Sequence, residues 1–455
     1  MSLDRVFVDI PSYAQTAFEV LESSGFEAWI VGGFIRDTLM GRSDNVRDID
    51  MATSATWRET KRAFIEAGFS VHETGTDHGT VTVVIERHAL EVTTYRVDGM
   101  YTDSRHPDTV SFASTIEEDL ARRDFTINAL AYHPCKGLVD PYGGAADIEK
   151  RVLRTVGDPP QRFAEDALRI LRGCRFASQL GFDFEPATFD AMRAAKSKTL
   201  ALSRERVSHE IDLFITGSHV HDALLRCVDV LAPVLPELVA LEGFDQKSVF
   251  HCYDVLEHTA WVVHNTPAHP LVRWAALLHD IGKPAACYES DGVRHFRGHP
   301  EISVIIGRGL LQRLGYSPKF IEQVLALVRR HDERIAATRK AVKTALRDLN
   351  GDTALFIALC QLKRADAMAK APEYRMRVQT CDALLDILSE ILAAEEPFTR
   401  SGLAINGNDV IALGVAPGPE VACALDAALD AVIEEEAENS LDDLVSFVEA
   451  WISSR

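Results

Sequence analysis

The stretch WIVGGFIRDTLMGRSDNVRDIDMAT, Trp29 to Thr53, constrains the fold of this chain more tightly than any other. Ala28 to Val31 is a short apolar run with the pattern of a buried strand, and Phe34 to Met40 reads as the first turns of a helix. Gly32 and Gly33 therefore fall on a strand-to-helix turn, where backbone N–H groups can approach an anion closely and the helix N-terminus adds its positive end. The turn suits a phosphate. Asp48-Ile49-Asp50 alternates acid, apolar, acid, so a strand there projects both carboxylates from one face and turns Ile49 into the core. Two carboxylates side by side repel unless a cation lies between them. Mg²⁺ is the expected cation, because it favours one or two carboxylates together with substrate phosphates. A Gly pair alone is an ordinary turn and an acid-x-acid alone an ordinary strand end. In this order and this close, they point to a metal-and-phosphate site.

The pattern predicts an α+β chain. Up to about Tyr95, helical and strand signals alternate, with TVTVVIE (Thr80 to Glu86) and LEVTTY (Leu90 to Tyr95) β-branched and nearly alternating. From Gln161 onward apolar residues recur at helical spacing, as in EDALRILRGCRFASQL, and the remainder reads as all-helical. At 455 residues the chain is long enough for several cores. Its eight cysteines are scattered without any CxxC pair, which predicts free thiols in a reducing cytoplasm rather than a disulfide framework or a zinc ribbon. No signal segment or long uncharged apolar run stands out, so neither secretion nor a membrane span is expected.

Three further stretches bear on the phosphate site. Glu91, in EVTTYR, sits on a strand after the acid pair; it is either a third carboxylate of the metal site or a paired strand-edge acid. RRDFTINAL packs Arg122, Arg123, Asp124 and Asn128 into one turn-to-helix segment. In EDALRILR, Asp166 and Arg169 stand three apart, on neighbouring positions of one helix face. They are either a structural salt bridge or an acceptor and donors presented to the edge of a base.

With VGGFIRD, RDIDMAT, DGMYTDSRHPDTVSF, EEDLARRDFTINALA, DPYGGAADI, RFAEDALRILR and LSRERVSHE in this order, the first 217 residues resemble the class II CCA-adding tRNA nucleotidyltransferases and the related bacterial poly(A) polymerases. The resemblance implies a small mixed-sheet head like that of DNA polymerase β, followed by helical domains. By it, Gly32, Gly33 and Arg36 hold a triphosphate, and Asp48 and Asp50, with Glu91 the least direct transfer, bind catalytic Mg²⁺. Arg123, Asp124 and Asn128 lie near the sugar and phosphates, and Asp166 with Arg169 forms a protein template that accepts CTP and ATP. The implied partners are tRNA, CTP and ATP, with no membrane and no protein partner. The full loop from Asp98 to Phe112 implies an enzyme not restricted to adding the two C residues.

Farther along, HCYDVLEHT, LLHDIGKP, FRGHPEIS, RRHD and KRADAMA supply spaced histidines, a His-Asp doublet and a late Asp, the inventory of a metal site. The set resembles the HD phosphohydrolase superfamily. This implies that His258, His279, Asp280 and Asp366 bind a divalent transition metal, with His299 and His331 available to a second metal or to phosphate. The expected organisation is a nucleotidyltransferase head over 1–150, a neck with the template helix over 151–217, a connector over 218–245, an HD domain over 246–370 and a C-terminal tRNA-binding region over 371–455. A chain of net charge −20 must gather its cations to meet RNA. The expected tracks are Arg329 to Arg347 and Arg193 to Arg206. The leading reading is CCA addition to tRNA; poly(A) synthesis, or an HD phosphohydrolase whose head only tethers RNA, are the alternatives.

Overall fold

The computed structural model describes residues 8–42, 49–76, 79–98 and 110–454. Asp48 and residues 99–109 of the loop after Asp98 lie outside them. The chain divides into two compact units, one of residues 1–219 with 226–234, the other of residues 220–225 with 235–455.

The first unit is built on a seven-stranded mixed sheet. Its strands are β1 (Ala28–Val31), β2 (Asp50–Thr53), β3 (Ser70–Gly75), β4 (Thr80–Ile85), β5 (His88–Thr94), β6 (Ala131–His133) and β7 (Gly137–Val139), in the order β3-β4-β5-β2-β1-β6-β7. All four residues of β1 are buried, as its unbroken apolar run requires of a central strand. β4 shows the two-residue period, with Val81, Val83 and Ile85 buried and the residues between them half-exposed. β2 runs antiparallel to β1 and parallel to β5. Trp29, Val31, Ala52, Tyr95, Leu120 and Ala131 form the core on one face. Helix α1 (Gly33–Leu39) follows β1 through Gly32, and the sheet is succeeded by α2 (Pro159–Glu165), α3 (Leu168–Leu180) and α4 (Arg204–Ile215).

The second unit is mostly helical: α5 (Val255–Asn265), α6 (Pro270–Leu278), α7 (His299–Arg313), α8 (Pro318–Arg330), α9 (Arg339–Asp348), α10 (Thr353–Met368), α11 (Arg377–Ala393) and α12 (Pro419–Ile433) carry the residues of interest. Caps set several starts. Asp254 accepts from the Glu257 N–H ahead of α5, and Ser317 from the Phe320 N–H ahead of α8. The all-helical expectation needs correcting. Tyr288–Ser290 and Val293–His295 pair as a hairpin around Asp291 and Gly292, whose φ values of 52° and 77° make the tight turn that Asp-Gly favours. A two-residue strand at Asp183–Phe184 pairs with Val152–Leu153. Among the described residues no helix is long and apolar enough to cross a membrane.

Candidate functional site

Gly32 has a φ of 75°, a conformation an L side chain rarely adopts, and a Cβ added there would lie 3.0 Å from Nη1 of Arg123. The turn is thus a place where backbone and guanidinium meet with no room between. The helix it opens has only seven residues. Its N-terminal turn adds to the positive potential supplied by the side chains around it.

Those side chains line a 680 Å³ cavity with Gly32 and Gly33 at its edge. Arg36, Arg96, Arg122, Arg123, Arg169, Arg172, Arg175 and Arg206 face it, against Asp50, Asp124 and Asp166. In a chain of net charge −20 this is a concentrated cationic pocket. A lattice of buried acceptors holds the guanidiniums in place. Arg36 donates from Nε and Nη2 to Asp37 at 2.8 and 2.9 Å and from Nη1 to Oδ1 of Asn128 at 2.7 Å. Asn128 in turn donates to Oδ1 of Asp124 at 3.1 Å, and Arg172 Nε donates to Oδ2 of Asp124 at 2.6 Å. Burial opposes ionisation of Asp124, but Arg172, Asn128 and the Phe125 N–H together hold its carboxyl well below the usual range. Asp119 does the same for Arg122 and Arg123, at 2.8 and 3.1 Å.

On α3, the guanidinium carbons of Arg172 and Arg175 lie 5.4 and 4.4 Å from the centre of the Phe176 ring, and that of Arg36 lies 5.5 Å away. Burial and the neighbouring Arg172 push Arg175 down to about 10. Glu210 of α4 accepts from Arg175 at 3.2 Å, its own carboxyl raised by burial. Arg172, Arg175, Phe176 and Glu210 were not among the residues expected from the sequence. Their signal is the spacing of Arg169, Arg172 and Arg175, three apart along a helix that is otherwise almost wholly buried.

Asp50 opens β2, is exposed, and lines the cavity. Glu91 is its register partner on β5 and is also exposed, so the two carboxylates leave the same face of the sheet. Glu91 is not among the described cavity-lining residues. Asp166 and Arg169 both line the cavity, but they do not share a helix face. Asp166 is the extended residue that ends α2, where its Oδ1 accepts from the Leu168 N–H at 2.9 Å and so starts α3. Its Oδ2 accepts from Arg206 at 2.7 Å. Arg169 donates to Glu165 at 2.6 Å and to the carbonyls of Arg162 and Arg122. The expected Asp166–Arg169 pair is therefore two separate pairings across a helix break.

In the second unit, six residues meet from five elements. Nε2 of His258 (α5) lies 3.2 Å from Oδ1 of Asp366 (α10) and 3.4 Å from Oδ2 of Asp280. His279 Nε2 lies 3.1 Å from the same Oδ2, while His299 (α7) and His331, which follows α8, approach Oδ1 at 3.2 and 3.7 Å. All six are buried. Nδ1 of His279, His299 and His331 each faces a carbonyl three residues back, at 2.7, 2.9 and 2.7 Å, and Nδ1 of His258 faces the Ala369 carbonyl at 3.4 Å. An Nδ1–H donated outward leaves each Nε2 lone pair pointing inward, the arrangement that orients imidazole ligands. Among the described residues, Nε2 of His258 and of His279 are buried and, although close to carboxylate oxygens, make no hydrogen bond of proper geometry. Burial, together with the nearby His279, lowers His331 to about 3, which keeps it neutral. The donors fall into two groups that share Asp280, one with His258 and His279, the other with His299 and His331. Orphaned nitrogens around a shared carboxylate fit divalent cations. Lys283 and Lys370 are ion-paired to Asp280 and Asp366 at 2.6 and 2.7 Å, supplying positive charge to the same carboxylates.

Residues 28–154 match the family model described as the poly A polymerase head domain, 181–241 the probable RNA- and SrmB-binding site of polymerase A, and 249–371 the HD domain. The CCA-adding enzyme of Geobacillus thermodenitrificans is 34% identical over 96% of this chain and 95% of its own length. The chain belongs to the CCA-adding enzyme family. The Streptococcus thermophilus CCA-adding enzyme is 31% identical over 97% of the chain and 98% of its own. The Bacillus stearothermophilus CCA-adding enzyme solved in complex with CTP superposes with a TM-score of 0.73 at 27% identity, covering 97% of this chain and 98% of that one. The Thermotoga maritima CCA-adding enzyme complexed with tRNA shares the fold at 19% identity and a TM-score of 0.59, covering 98% of this chain and 96% of that one.

A CCA-adding enzyme must meet tRNA phosphates, and both expected tracks contain cations already paired with carboxylates. Arg339 pairs with Glu390 and Glu396, Lys343 with Glu396, Lys340 with Glu434, and Arg347 with Asp430, so the basic face of α9 is spent on α11, α12 and the turn after α11. In the other track Arg193 and Lys196 pair with Asp229.

Proposed function

We infer that this chain adds CCA to the 3′ ends of tRNA from CTP and ATP, with the cationic cavity of the first unit as the nucleotide site. The observation that carries this reading is the joining of that cavity to Asp50 and to the Gly32 turn. The Gly32–Gly33 turn, Arg36 and Arg123 seat the triphosphate, whose charge the guanidiniums neutralise. The Asp124–Asn128 pair keeps Arg36 and Arg172 aimed inward. Asp166 and Arg169, each fixed by its own partner, read the Watson–Crick edge of the incoming base. The tRNA 3′-hydroxyl attacks the α-phosphate: the new O–P bond forms as the bond to the β-phosphate oxygen breaks, and the arginines stabilise the departing pyrophosphate. Asp48 and Asp50, with Glu91, would hold Mg²⁺, which when bound supplies charge stabilisation and a more acidic hydroxyl. We place the enzyme in the cytoplasm, a reading supported by its eight free cysteines.

The shared-carboxylate cluster favours a second reading alongside the first, hydrolysis of phosphoesters at a divalent transition metal held by His258, His279, Asp280 and Asp366, with His299 and His331 completing a second position. The test of the main reading is incubation with tRNA lacking its 3′ end, labelled CTP and ATP, and Mg²⁺, followed by sequencing of product ends. CCA ends support it; runs of A, or no addition, overturn it.

A further inference from the structure

Beside the histidine cluster lies a second cavity, of 390 Å³, whose inner wall touches two of the cluster's own members. The ring of His251 stands edge-on to that of His258 at 5.0 Å, and Nζ of Lys370 lies 2.7 Å from Oδ2 of Asp366. The outer wall has two further features. Phe250 and Tyr374 meet edge to face at 4.5 Å, with Phe250 half exposed, and the Ala371 N–H donates to the Phe250 carbonyl to tie the two segments together. Arg334 and Arg377 line the same space, both exposed.

These two arginines differ from several others nearby along the chain. Arg330, Arg339, Lys340, Lys343 and Arg347 all have carboxylate partners. Arg334 and Arg377 have neither an ion pair nor a hydrogen bond among the described residues, and Asp332 is the one carboxylate that lines the cavity with them. Two guanidiniums that line one opening, with Asp332 as the single carboxylate beside them, offer the donors for an oxyanion with several equivalent oxygens. A partly exposed aromatic pair in the same lining offers a face on which any base can stack. The volume is near the lower end of the ~300–1,000 Å³ typical of small-ligand sites, room for about one nucleotide.

We propose that this cavity binds one ribonucleoside phosphate unit, with Arg334 and Arg377 on the phosphate oxygens and the Phe250–Tyr374 pair under the base, so that the unit lies against His251 and Lys370, the two lining residues that adjoin the His258–His279–Asp280–Asp366 cluster. The assignment rests on the phosphohydrolase reading of that cluster and adds the residues that choose its substrate. In the hydrolysis, the bond from phosphorus to the ribose oxygen breaks, a bond from phosphorus to a water oxygen forms, and the water proton ends on the released ribose hydroxyl. A free mononucleotide and the phosphorylated 3′ end of an RNA strand share this chemistry.

The test is calorimetric titration of the full chain, and of an Arg36→Gln/Arg123→Gln variant that weakens the first-unit cavity, with adenosine 3′-monophosphate, on protein carrying Mn²⁺ and on chelated protein. Arg334→Gln and Arg377→Gln should each weaken binding about tenfold or more, as expected for loss of a charge-assisted bond, with Mn²⁺ content unchanged. Phe250→Ala should weaken adenosine 3′-monophosphate but leave inorganic phosphate as it was. An unchanged affinity in the Arg334→Gln/Arg377→Gln double variant overturns the clamp, and equal losses of both ligands in Phe250→Ala overturn the base platform. If the chain binds no Mn²⁺ while its nucleotide affinity still depends on both arginines, the metal reading falls and the cavity assignment stands. A 3′-phosphorylated oligoribonucleotide that binds more tightly than the mononucleotide, with the same arginine dependence, assigns the site to RNA ends; equal affinities assign it to free nucleotides.

Discussion

Replacing Asp124 with Ala removes the carboxylate at the centre of the arginine lattice, and the structure gives the size of the effect. Asp124 is nearly fully buried and accepts from Arg172 at 2.6 Å, from the Phe125 N–H at 2.8 Å and from Asn128 at 3.1 Å. Removing one member of a fully buried ion pair costs about 3–5 kcal/mol. Arg172 is 33% exposed, and Glu210 remains 3.9 Å away as a second carboxylate, so solvent screening brings the charge part down to about 2 kcal/mol. The two orphaned donors add about 1 kcal/mol each. A loss of about 3–4 kcal/mol follows, and a unit of this size should melt roughly 6–16 °C lower. Asp124→Asn keeps the volume and an acceptor and should lose about half as much. The sign with pH is fixed by the depressed carboxyl. The stabilisation is complete above the unfolded carboxylate range near about pH 4, and is lost as pH falls through the lower folded value. The difference between wild type and Asp124→Asn should therefore be flat above about pH 5 and shrink below about pH 4. The assay is scanning calorimetry of wild type, Asp124→Ala, Arg172→Ala and the double variant, together with KM for CTP, which should rise because Asn128 no longer aims Arg36. A coupling energy below about 0.5 kcal/mol in that cycle would refute the lattice argument.

Three further outcomes are expected. Asp50→Ala should abolish nucleotide addition while tRNA affinity, measured by filter binding, stays close to wild type, because affinity for RNA comes from Lys and Arg; addition within about tenfold of wild type would remove Asp50 from the metal site. Arg169→Ala should relax the choice among the four nucleotides more than it slows CTP, read as the ratio of kcat/KM values, since a site whose hydrogen bonds are unmade no longer rejects wrong bases; equal slowing of all four would make Arg169 purely structural. His279→Ala combined with Asp280→Ala should lose bound transition metal and hydrolysis of 2′,3′-cyclic nucleotides together, with CCA addition persisting. Retained metal in the folded variant would contradict the ligand assignment.

What the sequence made legible was what lies close together along the chain. The strand, glycine turn and helix from Ala28 to Leu39 are set by neighbouring residues, and the spaced histidines and aspartates show their residue types and order directly along the chain. The Asp166–Arg169 relation was misread because a helical period assumes an unbroken helix, and a side chain accepting from the N–H two residues on is a local competitor that periodicity cannot register. The ion pairing of the basic run along α9 was hidden for the opposite reason. Its partners, Glu390, Glu396, Glu434 and Asp430, lie 51 to 94 residues away, so nothing nearby shows that its charge is already neutralised. In the hairpin at Asp291-Gly292 the turn signal is present, but three-residue strands are too short for an alternating pattern to emerge.

The crowding of arginines around Phe176 has a consequence for the life of the protein in the cell. Arg36, Arg172 and Arg175 are drawn to one ring, and Arg175 already gives up part of its hold on its proton under burial and its neighbour's charge. A triphosphate bound there would add its charge to that of Asp37, Asp124 and Glu210, which already hold these guanidiniums. A ligand at about a hundred times its Kd adds about 2.7 kcal/mol to the folded state. A cell rich in CTP and ATP would, with nucleotide bound at this site, hold more of the first unit folded than one depleted of them.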